Sequence, residues 1–156
     1  MEVKLVSVTA PLIEDLASPE ELIVYCARVS NPENQSNNET APRLIKYLIK
    51  HKHWSPFEMV DMCVEIKTSR AIAAQILRHR SFSFQEFSQR YSVVQEIEDL
   101  ELRNQAKSNR QSSTDIADKQ WHAHAKQVMG RCIQVYNNMI AMGVAKESAR
   151  MVLPLG

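Results

Sequence analysis

The sequence predicts a mixed α/β domain of the α+β type. Two short segments have the alternating or β-branched content of strands, whereas most of the remaining chain repeats apolar residues every three or four positions, as helices do. The chain has 156 residues, of which 44% are hydrophobic and 24% are charged. This length and composition are typical of one globular domain with a real core, and we expect a single domain over residues 1–156.

Composition and charge argue against several classes of protein. The formal net charge is +1, so we expect neither nucleic acid nor a membrane surface as a partner. No apolar run approaches the roughly 20 residues that span a bilayer, and the first residues lack the pattern of a signal peptide. The three cysteines are far apart and odd in number. They predict buried free thiols in a reducing cytoplasm.

The first half of the chain predicts two strands and two helices. An edge strand carries Val3, Leu5 and Val8 and ends near Pro11. A helix begins at Ser18-Pro19-Glu20-Glu21, where the serine and the second glutamate form a capping box. After a polar loop, a second helix begins near Thr40, with an apolar stripe formed by Leu44, Ile45, Leu48 and Ile49.

A proline and an alternation of apolar and polar residues indicate the structure of residues 53–67. Because Pro56 disfavours helix at the preceding residue, we expect a loop or extended link from His53 to Ser55. Apolar and polar residues then alternate from Phe57 to Lys67, which predicts a half-buried strand.

The second half predicts three helices. Thr68 or Ser69 caps the first, which runs from Arg70 to about His79 with a buried face of Ile72, Ala73, Ile76 and Leu77. Residues 94–113 show little periodicity and predict a mobile surface excursion. Thr114 is expected to cap a long helix that ends before Gly143 and carries the stripe Trp121, Ala125, Val128, Cys132, Val135 and Met139. A short helix from Ala145 carries Arg150.

Histidine pairs raise the question of a metal site. The pairs His51/His53 and His122/His124 have i, i+2 spacing, and no cysteine or carboxylate cluster completes a set of four ligands. We therefore expect no metal, and we expect the second pair to face water from the long helix.

The candidate site is the segment from Arg78 to Arg90, here called the arginine segment. It contains three arginines, a histidine, a glutamate and three serines. Planar guanidinium groups match phosphate or carboxylate oxygens, and after Phe84 an extended chain would place Glu86, Ser88 and Arg90 on one face. Spacing alone leaves open the alternative of a solvated, salt-bridged surface strand. With glycine only at positions 130, 143 and 156, no glycine-rich phosphate loop is possible.

The arginine segment resembles the signature of the flavin-dependent thymidylate synthases, RHRxxSxxxxSxR, at every fixed position. The segments Cys26–Ser30, His53–Glu58 and Ala149–Pro154 also resemble family segments in the right order. The resemblance therefore covers nearly the whole chain.

The resemblance implies a fold, an assembly and a reaction. The fold would be a central mixed sheet flanked by helices, and the assembly a homotetramer with active sites at subunit interfaces. The reaction would convert dUMP to dTMP, with FAD as cofactor and NADPH and 5,10-methylenetetrahydrofolate as co-substrates. Reduced flavin would supply a hydride and the folate a one-carbon unit, while the protein orients rings and places charge.

The resemblance also implies the residues of the site. Those implied to contact FAD are Ser30, His53, Ser55, Arg78, His79, Arg80 and Glu86. Those implied to contact dUMP are Gln75, Arg78, Glu86, Ser88, Gln89, Arg90 and Arg150. Family members continue into C-terminal helices that supply a further arginine to activate the pyrimidine. That arginine would lie beyond Gly156, so the resemblance implies a C-terminally shortened chain that is weak or inactive as a catalyst.

Two alternative functions follow from the same residues. One is a flavin and dUMP binder without turnover. The other is an RNA-binding module in which Phe82, Phe84, Phe87 and Tyr91 stack on bases among the arginines. The near-neutral charge and the lack of a broad basic face argue against RNA binding.

Overall fold

The structure, a computed structural model, describes residues 1–154. It confirms a mixed α+β protein with small sheets and helices. The chain forms two compact units. The N-terminal unit comprises Glu2–Lys67, and the C-terminal unit comprises Met1 and the chain from Thr68 onward.

The N-terminal unit has two strands and two α-helices, with short 3-10 helices at Pro32–Asn34 and Ser55–Met59. In chain order these elements are β1 (Glu2–Val8), α1 (Pro19–Ala27), α2 (Ala41–Lys50) and β2 (Met62–Lys67). Helix α1 packs against α2 and against the second 3-10 helix. The buried apolar side chains of this unit are Leu16, Ile23, Val24, Ala41 and Leu48.

Helix α1 begins as predicted. The Ser18 hydroxyl accepts a hydrogen bond from the Glu21 amide at 3.3 Å, and the Glu21 carboxylate accepts one from the Ser18 amide at 3.2 Å. Pro19 occupies the first turn, where its missing N–H costs nothing. The capping box is therefore confirmed.

The region around Pro56 differs from the prediction. His53 and Trp54 lie in the expected loop, but Ser55 is the first residue of a 3-10 helix. Strand β2 begins at Met62 rather than Phe57. A proline in the first turn of a short helix leaves no N–H unpaired, so it favours a new turn here instead of extended chain. Only the second half of the predicted strand forms.

Strands β1 and β2 pair antiparallel, from Glu2 opposite Lys67 to Val8 opposite Met62. Every residue of both strands is exposed. The alternation predicts a half-buried second strand, and that burial prediction is wrong. All strand pairing in residues 1–154 is antiparallel and lies in two separate two-stranded sheets. The expected central mixed sheet is therefore not formed by residues 1–154.

The C-terminal unit contains the remaining elements. They are α3 (Arg70–Ile76), β3 (Arg103–Gln105), β4 (Ser113–Ile116), α4 (Lys119–Ala141) and α5 (Lys146–Ala149), followed by a 3-10 helix at Arg150–Val152. The side chain of Ser69 caps α3, as predicted, by accepting from the Ile72 amide. The helix is shorter than predicted, and Ile72 and Leu77 of its expected buried face are exposed.

Residues 94–113, predicted to be an irregular excursion, include half of a β-hairpin. Strands β3 and β4 pair antiparallel, with Arg103 opposite Ile116. Polar side chains hold the hairpin: Arg103 donates to the Thr114 carbonyl at 3.0 Å and Gln105 to the Ser112 carbonyl at 2.9 Å. Because these bonds need no apolar alternation, the sequence pattern does not reveal the strands. Thr114 therefore lies in β4, and Asp118 caps α4 instead.

Helix α4 ends as predicted at Gly143, whose φ of 84° few other residues adopt. The amides of Gly143 and Val144 donate back to the carbonyls of Ile140 and Met139 at 3.0 and 2.9 Å, a Schellman motif. The predicted apolar stripe is only partly covered, since Trp121 and Val128 are 56% and 63% exposed. The fully buried residue of this helix is Tyr136, whose hydroxyl accepts from the Val94 amide at 3.1 Å.

Several polar predictions for this fold can be compared with the structure. His124 is exposed, as predicted, but His122 is half-buried and its Nε2 accepts a hydrogen bond from the Leu102 amide at 3.0 Å. The cysteines are free, as predicted, but Cys63 is exposed and the other two are only half-buried. Within residues 1–154 no three His, Cys, Asp or Glu side chains are grouped to hold a metal ion. No helix in that range is both long and apolar enough to cross a membrane.

Candidate functional site

The arginine segment leaves α3 through a helical turn. The amides of Arg78 and His79 donate to the carbonyls of Gln75 and Ile76 at 3.2 and 3.0 Å. Residues 83–88 have no regular secondary structure, and a turn follows in which the Ser88 carbonyl accepts from the Tyr91 amide at 3.1 Å. Residues 84–88 therefore form no strand, and the extended conformation predicted after Phe84 does not continue past Ser88. Arg90 lies in the turn, so the alternation that placed it on one face with Glu86 and Ser88 does not hold.

The guanidinium groups of this segment are available to anions. Arg78, Arg80 and Arg90 are all exposed. None of the three forms an ion pair with a carboxylate of residues 1–154. Arg90 lies over the Tyr91 ring, with 6.0 Å between the guanidinium carbon and the ring centroid. The salt-bridged surface strand left open by the sequence is therefore not what forms here.

His79 presents a flat polar ring beside these charges. Its imidazole stacks on the Phe82 ring, with centroids 4.0 Å apart and planes 14° apart. Phe84 meets the edge of Phe82 at 6.2 Å. Phe82 is 62% exposed, so the stack lies at the surface. A planar aromatic ligand is a suitable partner for such a surface.

Two contacts fix the end of the arginine segment within the C-terminal unit. Arg70, at the start of α3, donates to the Gln89 side-chain oxygen at 2.7 Å. Lys146, at the start of α5, donates to the Tyr91 carbonyl at 2.8 Å. Arg150 directly follows α5, and its Nε donates to the Glu147 carbonyl at 3.3 Å. The structure thus docks the helix preceding Arg150 against the chain just after Arg90, through a lysine that the sequence pattern did not indicate.

Glu98 anchors the other end of α3. Its carboxylate accepts from the Ser69 amide at 2.6 Å and from the Thr68 hydroxyl at 3.4 Å, and it pairs with the Met1 ammonium group. The hydrogen bond from that ammonium group, with those from Ser69 and Thr68, lowers the pKa of Glu98. An ionised carboxylate at the start of a helix also interacts favourably with the helix dipole and stabilises the helix.

The remaining predicted residues lie in the N-terminal unit. Ser30 is exposed after α1, Ser55 is exposed in its 3-10 helix, and His53 lies between them in the chain. The His53 ring is near those of Tyr47 and His51, at centroid distances of 6.1 and 6.2 Å. The structure therefore distributes the predicted site residues over both units.

Comparison with known proteins identifies the family. Residues 11–156 match the family model described as thymidylate synthase complementing protein. The chain is 51% identical over 160 residues to a probable flavin-dependent thymidylate synthase of Paramecium bursaria Chlorella virus 1, covering 99% of this chain and 74% of that protein. It is also 51% identical, over 162 residues and with the same coverage, to the flavin-dependent thymidylate synthase of Synechocystis sp..

A solved structure supports the same relationship. The chain resembles a UMP/dUMP methylase, PolB from Streptomyces cacaoi, solved with 5-Br dUMP. The TM-score is 0.72 and the identity 27%, over 99% of this chain and 68% of that one. With most of its length matched by the family model and half of its residues identical to two relatives, the chain belongs to the thymidylate synthase complementing protein family, the flavin-dependent thymidylate synthases.

Proposed function

We propose that this protein converts dUMP to dTMP, using FAD, NADPH and 5,10-methylenetetrahydrofolate. The observation that carries the proposal is the arginine segment, in which three exposed guanidinium groups lie free of carboxylates along one short stretch of a member of this family. The PolB structure, solved with a dUMP analogue, supports a pyrimidine nucleotide as substrate.

Gln75, Arg78, Glu86, Ser88, Gln89, Arg90 and Arg150 are proposed to bind dUMP. Arg90 offers two parallel donors to a phosphate, and Ser88 offers a hydroxyl two residues away. Gln89 is held by Arg70, so its amide is oriented before substrate arrives. An arginine beside the pyrimidine would stabilise negative charge that develops on the ring during the reaction.

The second proposed set binds FAD and contains Ser30, His53, Ser55, Arg78, His79, Arg80 and Glu86. These residues fit a dinucleotide: Arg78 and Arg80 supply charge for phosphates, and the His79 ring is already stacked in an exposed position. When bound, the flavin supplies redox chemistry that no side chain can provide. The protein contributes orientation and charge.

We further propose that the chain works as a homotetramer with active sites at subunit interfaces, formed from one domain that spans residues 1–156. Every residue of β1 and β2 lies on the surface of the N-terminal unit. Strands β1 and β2 contribute apolar side chains to that surface. Burial of these apolar side chains between subunits would explain the exposed strands. Assembly of Ser30 and Arg78 from different subunits into one site would explain why the site residues are distributed over both units.

The test measures binding and turnover separately. Calorimetry gives the dUMP affinity of the wild-type chain and of Arg90→Gln, with Arg110→Gln as a control from the β3–β4 loop. We expect Arg90→Gln to weaken dUMP binding by about tenfold to a hundredfold, as for loss of a charged hydrogen-bond pair. Flavin absorbance and dUMP-dependent NADPH oxidation then distinguish an enzyme from a binder without turnover. Equal dUMP affinity in all three proteins would contradict the proposal.

A further inference from the structure

A cleft in the N-terminal unit contains Ser30 of the proposed FAD set together with two arginines that neither proposed set includes. It has a volume of about 510 Å³ and lies where the end of α1 meets the first turn of α2. The residues that line it include Arg28, Ser30, Thr40, Arg43 and Tyr47. None of the residues lining it is acidic.

Arg28 gives this cleft a buried positive charge. The side chain is only 9% exposed. One terminal nitrogen donates to the Asn37 carbonyl and the other to the Thr40 hydroxyl at 2.6 Å. Both acceptors are neutral, and no carboxylate in residues 1–154 forms an ion pair with Arg28. Because a buried charge without a counter-charge is costly, an anion in the cleft would be stabilised.

Arg43 adds a second positive charge that is exposed to solvent. It is exposed and has no hydrogen bond or ion pair with another side chain of residues 1–154. It lies in the first turn of α2, a turn that contains no acidic residue. The positive end of the dipole of this ten-residue helix therefore attracts anions, as the two guanidinium groups do.

Tyr47 connects the cleft to an aromatic surface. It lies one turn beyond Arg43 on α2, and its ring is 4.2 Å from that of His51 and 6.1 Å from that of His53. His53 is one of the residues proposed above to contact the flavin. An anion in the cleft could therefore belong to a ligand whose flat ring lies near His53.

We propose that this cleft binds the phosphate or carboxylate group of an aromatic ligand, with Arg28 and Arg43 as its cationic residues. The inference deepens the proposed function, on which it rests for the identity of the ligand. Two reactants of that function carry a suitable anion: the flavin dinucleotide has phosphates, and the folate has glutamate carboxylates. Arg43 is the residue to test, since it is exposed and its substitution leaves the Arg28 contacts in place.

The first experiment needs no assumption about the ligand. Inorganic pyrophosphate and glutarate are titrated by calorimetry, at low salt, into the full wild-type chain, Arg43→Gln and the control Arg110→Gln. We expect at least one anion to bind the wild type and the control equally, and to bind Arg43→Gln at least tenfold more weakly. Equal affinity in wild type and Arg43→Gln, or no binding of either anion to the wild type, would overturn the inference. Thermal unfolding verifies that the variants are folded.

The second experiment identifies the source of the anion. Affinities are measured for FAD and riboflavin, and for the folate with one and with three glutamates. A phosphate site predicts that Arg43→Gln weakens FAD binding tenfold and leaves riboflavin unchanged. A carboxylate site predicts that the variant loses the affinity gained from the added glutamates. If all four ligands bind the variant as they bind the wild type, the inference fails, while unchanged dUMP binding leaves the proposed function intact.

Discussion

The carboxylate of Glu98 accepts a hydrogen bond of 2.6 Å from the backbone N–H of Ser69, the residue that caps α3. The acid comes from a segment 29 residues further along the chain. The helix that it anchors leads directly into the arginine segment. The contact thus joins the chain just before the arginine segment to the chain just after it.

Replacing Glu98 with glutamine should make stability less sensitive to acid. Because the pKa of Glu98 is lowered in the folded state, its ionised form contributes stability above the ordinary glutamate pKa of about 4.3, and this contribution is lost as the pH falls. Thermal unfolding from pH 7 to pH 3 should show Glu98→Gln less stable than wild type at pH 7 and equal to it at the acid end. A gap that stays constant over this range, or the same behaviour in the exposed control Asp99→Asn, would contradict the assignment.

Replacing Gly130, inside α4, and Gly143, just after it, with alanine should change the free energy of unfolding in opposite directions. Gly143 has φ of 84°, a conformation that costs an alanine about 1–2 kcal/mol. Gly130 lies inside the helix with no heavy atom within 4 Å of an added Cβ, so alanine should raise the free energy of unfolding by about 0.5–1 kcal/mol. Urea denaturation measures both. Changes of the same sign would show that the Schellman turn does not form in solution.

Removing the hydroxyl of Tyr136 should destabilise the C-terminal unit. The side chain is fully buried, and its oxygen accepts from the Val94 amide at 3.1 Å. Tyr136→Phe leaves that amide without its partner and should cost about 1–3 kcal/mol. Tyr91→Phe, at an exposed ring, serves as the control and should change the unfolding free energy little. Hydrogen exchange at Val94 should accelerate in Tyr136→Phe alone, and unchanged exchange would refute the contact.

Arg70 should act on dUMP through Gln89. Its guanidinium orients the Gln89 amide but belongs to neither proposed set of ligand contacts. Because the pair is exposed, Arg70→Ala should weaken dUMP binding only modestly, by about threefold, and should leave FAD affinity unchanged. An equal loss of both affinities would indicate a general structural role instead.

The parts of the fold predicted from sequence are those fixed by neighbouring residues. The capping box of Ser18 and Glu21 and the helix end at Gly143 each depend on only a few adjacent residues, so the sequence alone predicts them. The β3–β4 hairpin depends on Arg103 and Gln105 bonding to carbonyls up to 11 residues away. No hydrophobic period accompanies those bonds, so the sequence wrongly predicts Thr114 as the cap of α4, whereas it lies in β4.

The candidate site shows the same division. Spacing and resemblance singled out Ser88 and Arg90, yet alternation gave Arg90 the wrong direction, because the turn after Ser88 is set by backbone hydrogen bonds. Arg28 and Lys146 were missed as functional candidates since an isolated basic residue gives no pattern. Arg28 becomes a candidate because it is buried, and Lys146 because it donates to the Tyr91 carbonyl.

The two-stranded sheet of β1 and β2 has a consequence for the expression of the protein. Neither strand has a second neighbour among residues 1–154, so each leaves one edge of backbone donors and acceptors open. Open edges pair readily with strands of other chains, including misfolded ones. Newly synthesised chains should therefore precipitate when they accumulate quickly, and slow expression at low temperature should raise the yield of usable protein.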